Sequence, residues 1–174
     1  MTWIKEAWEK GVQNRNNPKF RSSHIEEELR ERELVCSKIR EVLIERLGEV
    51  FADLTRHGVT ISFTNGCAQY PQLAGLNNYK GPEFSSELVP CVVIDMKGVL
   101  FGQARVDWGP IYCFMNYRNS NKPVINLFMQ TRKSSTETDF SFLGGTINPN
   151  FEWRIKNYIQ NWVSQASERV RKRE

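Results

Sequence analysis

Residues 91–107, Cys91-Val-Val-Ile-Asp-Met-Lys-Gly-Val-Leu-Phe-Gly-Gln-Ala-Arg-Val-Asp107, decide the fold of this chain. The stretch is rich in β-branched residues and reads as two strands, 91–96 and 99–107, bent about a tight turn at Lys97-Gly98, where glycine suits a hairpin. Further strands are expected over 111–117, 123–132 and 138–143, with a corner at Trp108-Gly109-Pro110 and a connection through Arg118-Asn-Ser-Asn-Lys122. Connections this short join antiparallel neighbours, because a parallel partner requires a crossover of about a dozen residues or more. The stretch therefore opens a meander.

Upstream, Val59, Ile61 and Phe63 alternate with Thr60, Ser62 and Thr64, which predicts one more half-buried strand. Between it and the meander, residues 65–90 hold turn formers throughout and no sustained period. A long irregular loop of this kind is commonly functional, so it is the first choice for a site. Before the strand, Ser23 and Glu26 form a capping box that predicts a long helix over 23–57, closed by His57-Gly58. Its first turns, Glu26 to Glu33, are nearly all charged, while Cys36, Ile39, Leu43, Leu47, Val50 and Leu54 make an apolar face in its second half. The charged half reads as a solvated surface, with a homodimer through this long helix as the alternative. Trp3, Ile4, Ala7, Trp8 and Val12 predict a short amphipathic helix, followed by a linker, within 1–22. After the meander, Gly144-Gly145 breaks the last strand, and Asn148-Pro149 should cap a C-terminal amphipathic helix over 148–172. Its apolar stripe runs from Phe151 through Ile155, Ile159, Trp162 and Val163 to Val170.

The expected architecture is a single α+β domain over 1–174, with 59–145 mainly β. An antiparallel meander of about five or six strands packs on one face against the long helix and the C-terminal helix. Such a curved sheet can leave a pocket beside its helix, as helix-grip-like folds do. The length of 174 residues and an apolar content of 40% suffice for a core without staples. Four cysteines without CxxC spacing and only two histidines, His24 and His57, leave a structural zinc site almost no ligands. Neither a signal-peptide pattern nor an apolar run of membrane-spanning length is present, so the chain is expected to be cytoplasmic, with reduced thiols and no membrane partner.

Three chemistries have residues to draw on. Asp95-Met96-Lys97 follows Pro82-Glu83 with eleven residues between Glu83 and Asp95, and Asp95 and Lys97 would share one strand face. This spacing resembles the PD-(D/E)xK nuclease pattern. The resemblance implies a metal-dependent phosphodiesterase in which Glu83 and Asp95 hold Mg2+ and Lys97 positions the nucleophile or offsets developing charge. Glu45 or Glu49 on the preceding helix would add an acid. Cys67 with His57 upstream is a second candidate, a thiol and its base, but no third group to orient the base announces itself. The third is nucleic-acid contact. Arg105, Arg118, Lys122, Arg132 and Lys133 lie on or beside strands that also carry Tyr112, Phe114, Tyr117 and Phe128. The net charge of +4 is mild, much of it near the chain ends, and no phosphate-cradling glycine motif is present.

The function these residues support best is a non-catalytic binding module without a cofactor. It would recognise a protein or nucleic-acid partner through the 65–90 loop and adjacent strands, with Tyr70, Tyr79, Lys80, Arg105, Tyr112 and Arg118 as contact residues. The alternative is the nuclease with Glu83, Asp95 and Lys97, which requires Mg2+.

Overall fold

The computed structural model describes residues 18–73, 79, 81, 88–117, 123–132 and 138–171. The expected N-terminal helix with Trp3 and Trp8 lies outside them. In chain order the described elements are α1 (Pro18–Arg56), β1 (Val59–Gln69), β2 (Leu88–Leu100), β3 (Ala104–Asn116), β4 (Val124–Arg132), β5 (Thr138–Gly145) and α2 (Phe151–Arg171). The fold is α+β: the strands form one antiparallel sheet in the order β1-β2-β3-β4-β5, and two helices pack against it.

By its internal contacts the chain divides into two units, residues 1–34 and 35–174. In the first, the described part is helical, and its Ile25, Leu29 and Leu34 are 55%, 45% and 57% exposed, so these side chains build no core there. The second unit holds the sheet. From Val35 onward, Cys36, Ile39, Leu43, Leu47 and Leu54 recur at steps that bring them to one side of α1, and all are buried. Each fully buried Leu or Ile in such a stripe contributes about 1.5–3 kcal/mol. They meet Val59, Val92, Ile94, Met96 and Val106 from one face of the sheet. The Cys36 thiol donates to the Cys91 carbonyl (3.5 Å), the Arg40 guanidinium donates to the Phe63 carbonyl (3.2 Å), and the Phe51 and Phe63 rings meet edge-on at 5.7 Å. The helix ends where glycine permits: Gly58, at φ 97°, follows His57, whose amide still reaches the Leu54 carbonyl at 3.1 Å.

The second helix covers the same sheet face over β3 and β5. Phe151, Ile155 and Ile159 are buried in the common core, and the Trp108 ring of β3 lies 5.7 Å from Tyr158 and 5.4 Å from Trp162.

Several local expectations are corrected. Lys97-Gly98 is no turn: β2 runs unbroken to Leu100, and the chain reverses at 101–103, where Phe101 and Gly102 take φ values of 51° and 70° and the Gln103 amide bonds the Leu100 carbonyl at 2.9 Å. Gly98 is required for another reason. It stands beside β1 where α1 ends, and a Cβ there would run into the Gly58 carbonyl. Trp108-Gly109-Pro110 is no corner either. Those residues form a bulge inside β3, with a cis Gly109–Pro110 bond and Gly109 at φ 130°, and the register against β2 slips by one residue between Ile94 and Met96. The expected loop is shorter at both ends, because residues 65–69 extend β1 and pair with 88–92 of β2. The long helix begins at Pro18, taking in residues read as linker. The C-terminal helix begins at Phe151, capped by Asn150, whose carbonyl accepts from the Arg154 amide at 2.9 Å. Asn148 instead accepts from the Asn150 amide through Oδ1.

Candidate functional site: the sheet face opposite the helices

Alternation assigns every strand residue to one of two faces, and the bulge in β3 changes the parity along that strand. Before it, Val106 and Trp108 face the helices and Arg105 and Asp107 face away. After it, Ile111, Cys113 and Met115 face the helices while Tyr112 and Phe114 face away. The far side of the sheet is thereby split into a polar half and an aromatic half.

The aromatic half is a second, smaller core. Phe114 and Phe128 are fully buried, Tyr70 is 8% exposed, and Val93, Tyr112, Phe140, Phe142 and Tyr79 are half-buried around them. The chain leaving β1 folds back across this face. Tyr70 lies against Phe114 (5.3 Å), Phe128 (5.4 Å) and Tyr79 (5.1 Å), and its hydroxyl accepts a hydrogen bond from Asn126 Nδ2 at 2.8 Å. That bond satisfies two buried polar groups at once. Tyr112 stacks along the strand on Phe114 (6.4 Å), meets Phe140 edge-on (5.6 Å) and donates through its hydroxyl to Gln130 Oε1 at 3.2 Å. Burial raises the Tyr112 pKa above the usual tyrosine range, with Cys91 and Asp95 adding to the effect.

The polar half is open. Lys97, Arg105 and Asp107 are exposed and Asp95 is half-buried. Lys97 pairs in register with Asp107, and Val99, 46% exposed, with Arg105. From β1, Thr60 and Ser62 stand opposite Lys97 and Asp95.

Of the residues singled out by sequence, the structure therefore brings Tyr70, Tyr79 and Tyr112 together in the aromatic half, and Asp95, Lys97 and Arg105 into the polar half of the same face. Tyr70 is spent in the interior, where it pins the returning chain. Lys80, Glu83 and Arg118 lie outside the described residues. Among the described residues no three His, Cys, Asp or Glu side chains gather closely enough to hold a metal ion. Sequence reasoning missed Phe140, Phe142 and Asn126. The first two share a parity by simple alternation in β5, a signal present in the sequence, but that the face they share is covered shows only once the strands are assembled.

A cleft of about 990 Å3 opens on the helix side near the β2–β3 turn, lined by Leu54, His57, Phe101, Ile159 and Val163 among others. The two cations along it are already engaged: Arg56 lies 3.6 Å from Asp53, and Lys156 lies 2.8 Å from Glu152. That contact lowers the Glu152 pKa and raises that of Lys156. The charged groups of the cleft thus answer one another and single out no ligand.

No family model, no curated protein and no solved structure matches this chain. Among the described residues no helix is long and apolar enough to cross a membrane.

Proposed function

We propose that this chain is a non-catalytic binding module whose contact surface is the sheet face opposite the helices. One observation carries the reading: the chain after β1 returns across that face through Tyr70 and Tyr79 and stabilises its aromatic half, while the strip of Asp95, Lys97, Arg105 and Asp107 beside it stays open. A polar strip next to a partly covered apolar cluster has the make-up of a protein contact, an apolar centre with a charged rim. Charges of both signs suit a protein partner better than a polyanion, whose affinity comes from uniform positive charge. Base stacking would also need open ring faces, and Phe114 and Phe128 have none. A photoreactive residue placed at 97 or 105 is expected to cross-link a discrete protein in cell extract, and one placed at Trp153, which is exposed on α2, is not. Equal labelling from all three positions, or none from 97 and 105, rejects the surface. An adduct sensitive to nuclease rather than protease would make the partner a nucleic acid.

A second reading rests on Asp95 and Lys97 sharing one strand face two residues apart, as a metal-dependent phosphodiesterase needs. It stands or falls on whether the chain cleaves DNA or RNA with Mg2+ or Mn2+ present and loses that cleavage in Asp95→Ala.

A further inference from the structure

We infer that the partner of this surface is held as an added strand: an extended segment of a second protein, with an acidic residue directly after an apolar one, pairs antiparallel with residues 104–108 of β3. The inference rests on the reading of the polar strip as a protein contact and specifies how the strip takes its partner. β4 follows β3 only as far as the pair Ile111 and Met129. Beyond that pair, towards the start of β3, come Pro110, which has no amide to give, and the bulge. Residues 104–108 are thus paired with β2 on one side and, among the described residues, with no strand on the other.

The described strands leave main-chain groups unused on that other side. The Val99 amide bonds the Gly58 carbonyl at 3.2 Å and the Phe101 amide bonds the His57 carbonyl at 3.1 Å, so the odd-numbered residues at this end of β2 face β1, and Gly98 and Leu100 face β3. Gly98 pairs with Val106 and Leu100 with Ala104. The bonds of those pairs leave the N–H and C=O groups of Arg105 and Asp107 pointing away from β2. Two such donor and acceptor sets, two residues apart, match an extended polypeptide, which presents the same spacing.

The side chains around this edge say which segment it takes. Across the ladder Asp107 faces Lys97, whereas Arg105 faces Val99, so the Arg105 charge is the one that β2 leaves unanswered. Open edges are ordinarily guarded by charge, and this guard is selective: Arg105 repels a cationic strand and receives an acidic residue placed opposite it. On the helix side a cleft of about 640 Å3 runs between residues 103–107 and α2, with Trp162, Ala166 and Arg169 on its α2 wall. Val106 faces the helices, so the segment residue opposite it points into this cleft, against Trp162 and Ala166, which lie one turn apart and are half-buried. An apolar residue belongs there. In antiparallel pairing it comes immediately before the acidic one, and Arg169 adds a second cation beside the segment.

The probe is the synthetic peptide Thr-Val-Lys-Val-Glu-Val-Thr, in which Glu meets Arg105, the Val before it meets Val106, and Lys meets Asp107. The full chain is expected to bind it saturably. In the complex the Arg105 and Asp107 amides should exchange at least tenfold more slowly, while the Val106 amide, already bonded to β2, keeps its rate. N-methylation of the peptide's Lys and Glu, whose amides point at β3, should weaken binding at least tenfold, and N-methylation of the Val between them, whose amide points away, should not. Arg105→Glu should lose the peptide by at least tenfold and recover it when the peptide's Glu is replaced by Lys. No binding, unchanged exchange at 105 and 107, or equal effects of the two N-methylations overturns the proposal. Those three readings use the wild-type chain, so they decide the matter even if the variant does not fold. A doubled mass without peptide, with the same two amides slowed, would make the occupant a second copy and likewise overturn it. Cross-links from residues 97 and 105 without peptide binding retain the surface and remove strand addition, whereas absent cross-links remove the reading beneath it.

Discussion

At Gly98 the place of a side chain is already taken by the carbonyl of Gly58, the residue that leads from the end of α1 into β1. Gly98→Ala must push two backbones apart at the end of the β1–β2 ladder, with no flexible neighbour to give way. A loss of about 2–4 kcal/mol is expected, in the range of overpacking combined with lost ladder bonds. Urea unfolding measures it. A change below ~0.5 kcal/mol would mean that the approach relaxes freely. The same glycine explains why the hairpin was misplaced in the sequence. Lys97-Gly98 looks like a turn because turns and close backbone approaches both select glycine, and only the partner strand tells them apart. The true turn falls three residues later, where Phe101 occupies a left-handed position that sequence rules reserve for glycine or asparagine.

Among the elements, α2 is held to the sheet by its buried Phe151, Ile155 and Ile159 and by the Trp108 indole of β3. Trp108 is 5% exposed and lies between its own strand and the rings of Tyr158 and Trp162. Trp108→Ala should cost about 3–5 kcal/mol, as large aromatic truncations in cores do. Amide exchange in 155–166 should accelerate before that in β2. If all elements loosen together, the helix is no separate unit of stability. The helices themselves were legible: the Cys36 to Leu54 stripe and the Phe151 to Val170 stripe carry the helical period strongly enough to place both on the sheet. The meander was legible too, from short connections and alternation. The strand limits were not, since the glycine and proline at 109–110 mark a bulge within β3 as readily as a corner. Nor was the second face: Tyr70 and Tyr79 reach it through a segment with no period, so nothing in the sequence says which strand they fold back upon. Tyr112 and Phe114 could be put on a common face by parity, but the layer covering them could not be named.

For the molecule as a whole, burial on both sheet faces sets a limit on alkaline pH. Burial holds the Cys113 thiol pKa well above its ordinary value, with Cys91 adding to the effect, and burial raises Tyr112 and Tyr158. Each folded-state pKa lies above its unfolded one. The stability these groups contribute is therefore fully present below the ordinary thiol and phenol ranges and is lost as pH rises through them. The urea midpoint should hold from pH 7 to about 8.5 and fall from there to pH 10.5, and Tyr112→Phe should lessen the fall above about pH 10. A midpoint that stays level to pH 10.5 would contradict the burial of these groups. The bulge at Gly109-Pro110 bears on the whole molecule in another way. It works like a frameshift: β3 is written in two reading frames, one on each side of the extra residue, and each frame addresses its apolar letters to a different layer. A substitution changes one letter. Losing one residue between Trp108 and Ile111 would exchange the addressees of everything on one side, sending Tyr112 and Phe114 towards the helices and Cys113 and Met115 towards Tyr70. The chain should thus tolerate altered residues at the bulge better than an altered count.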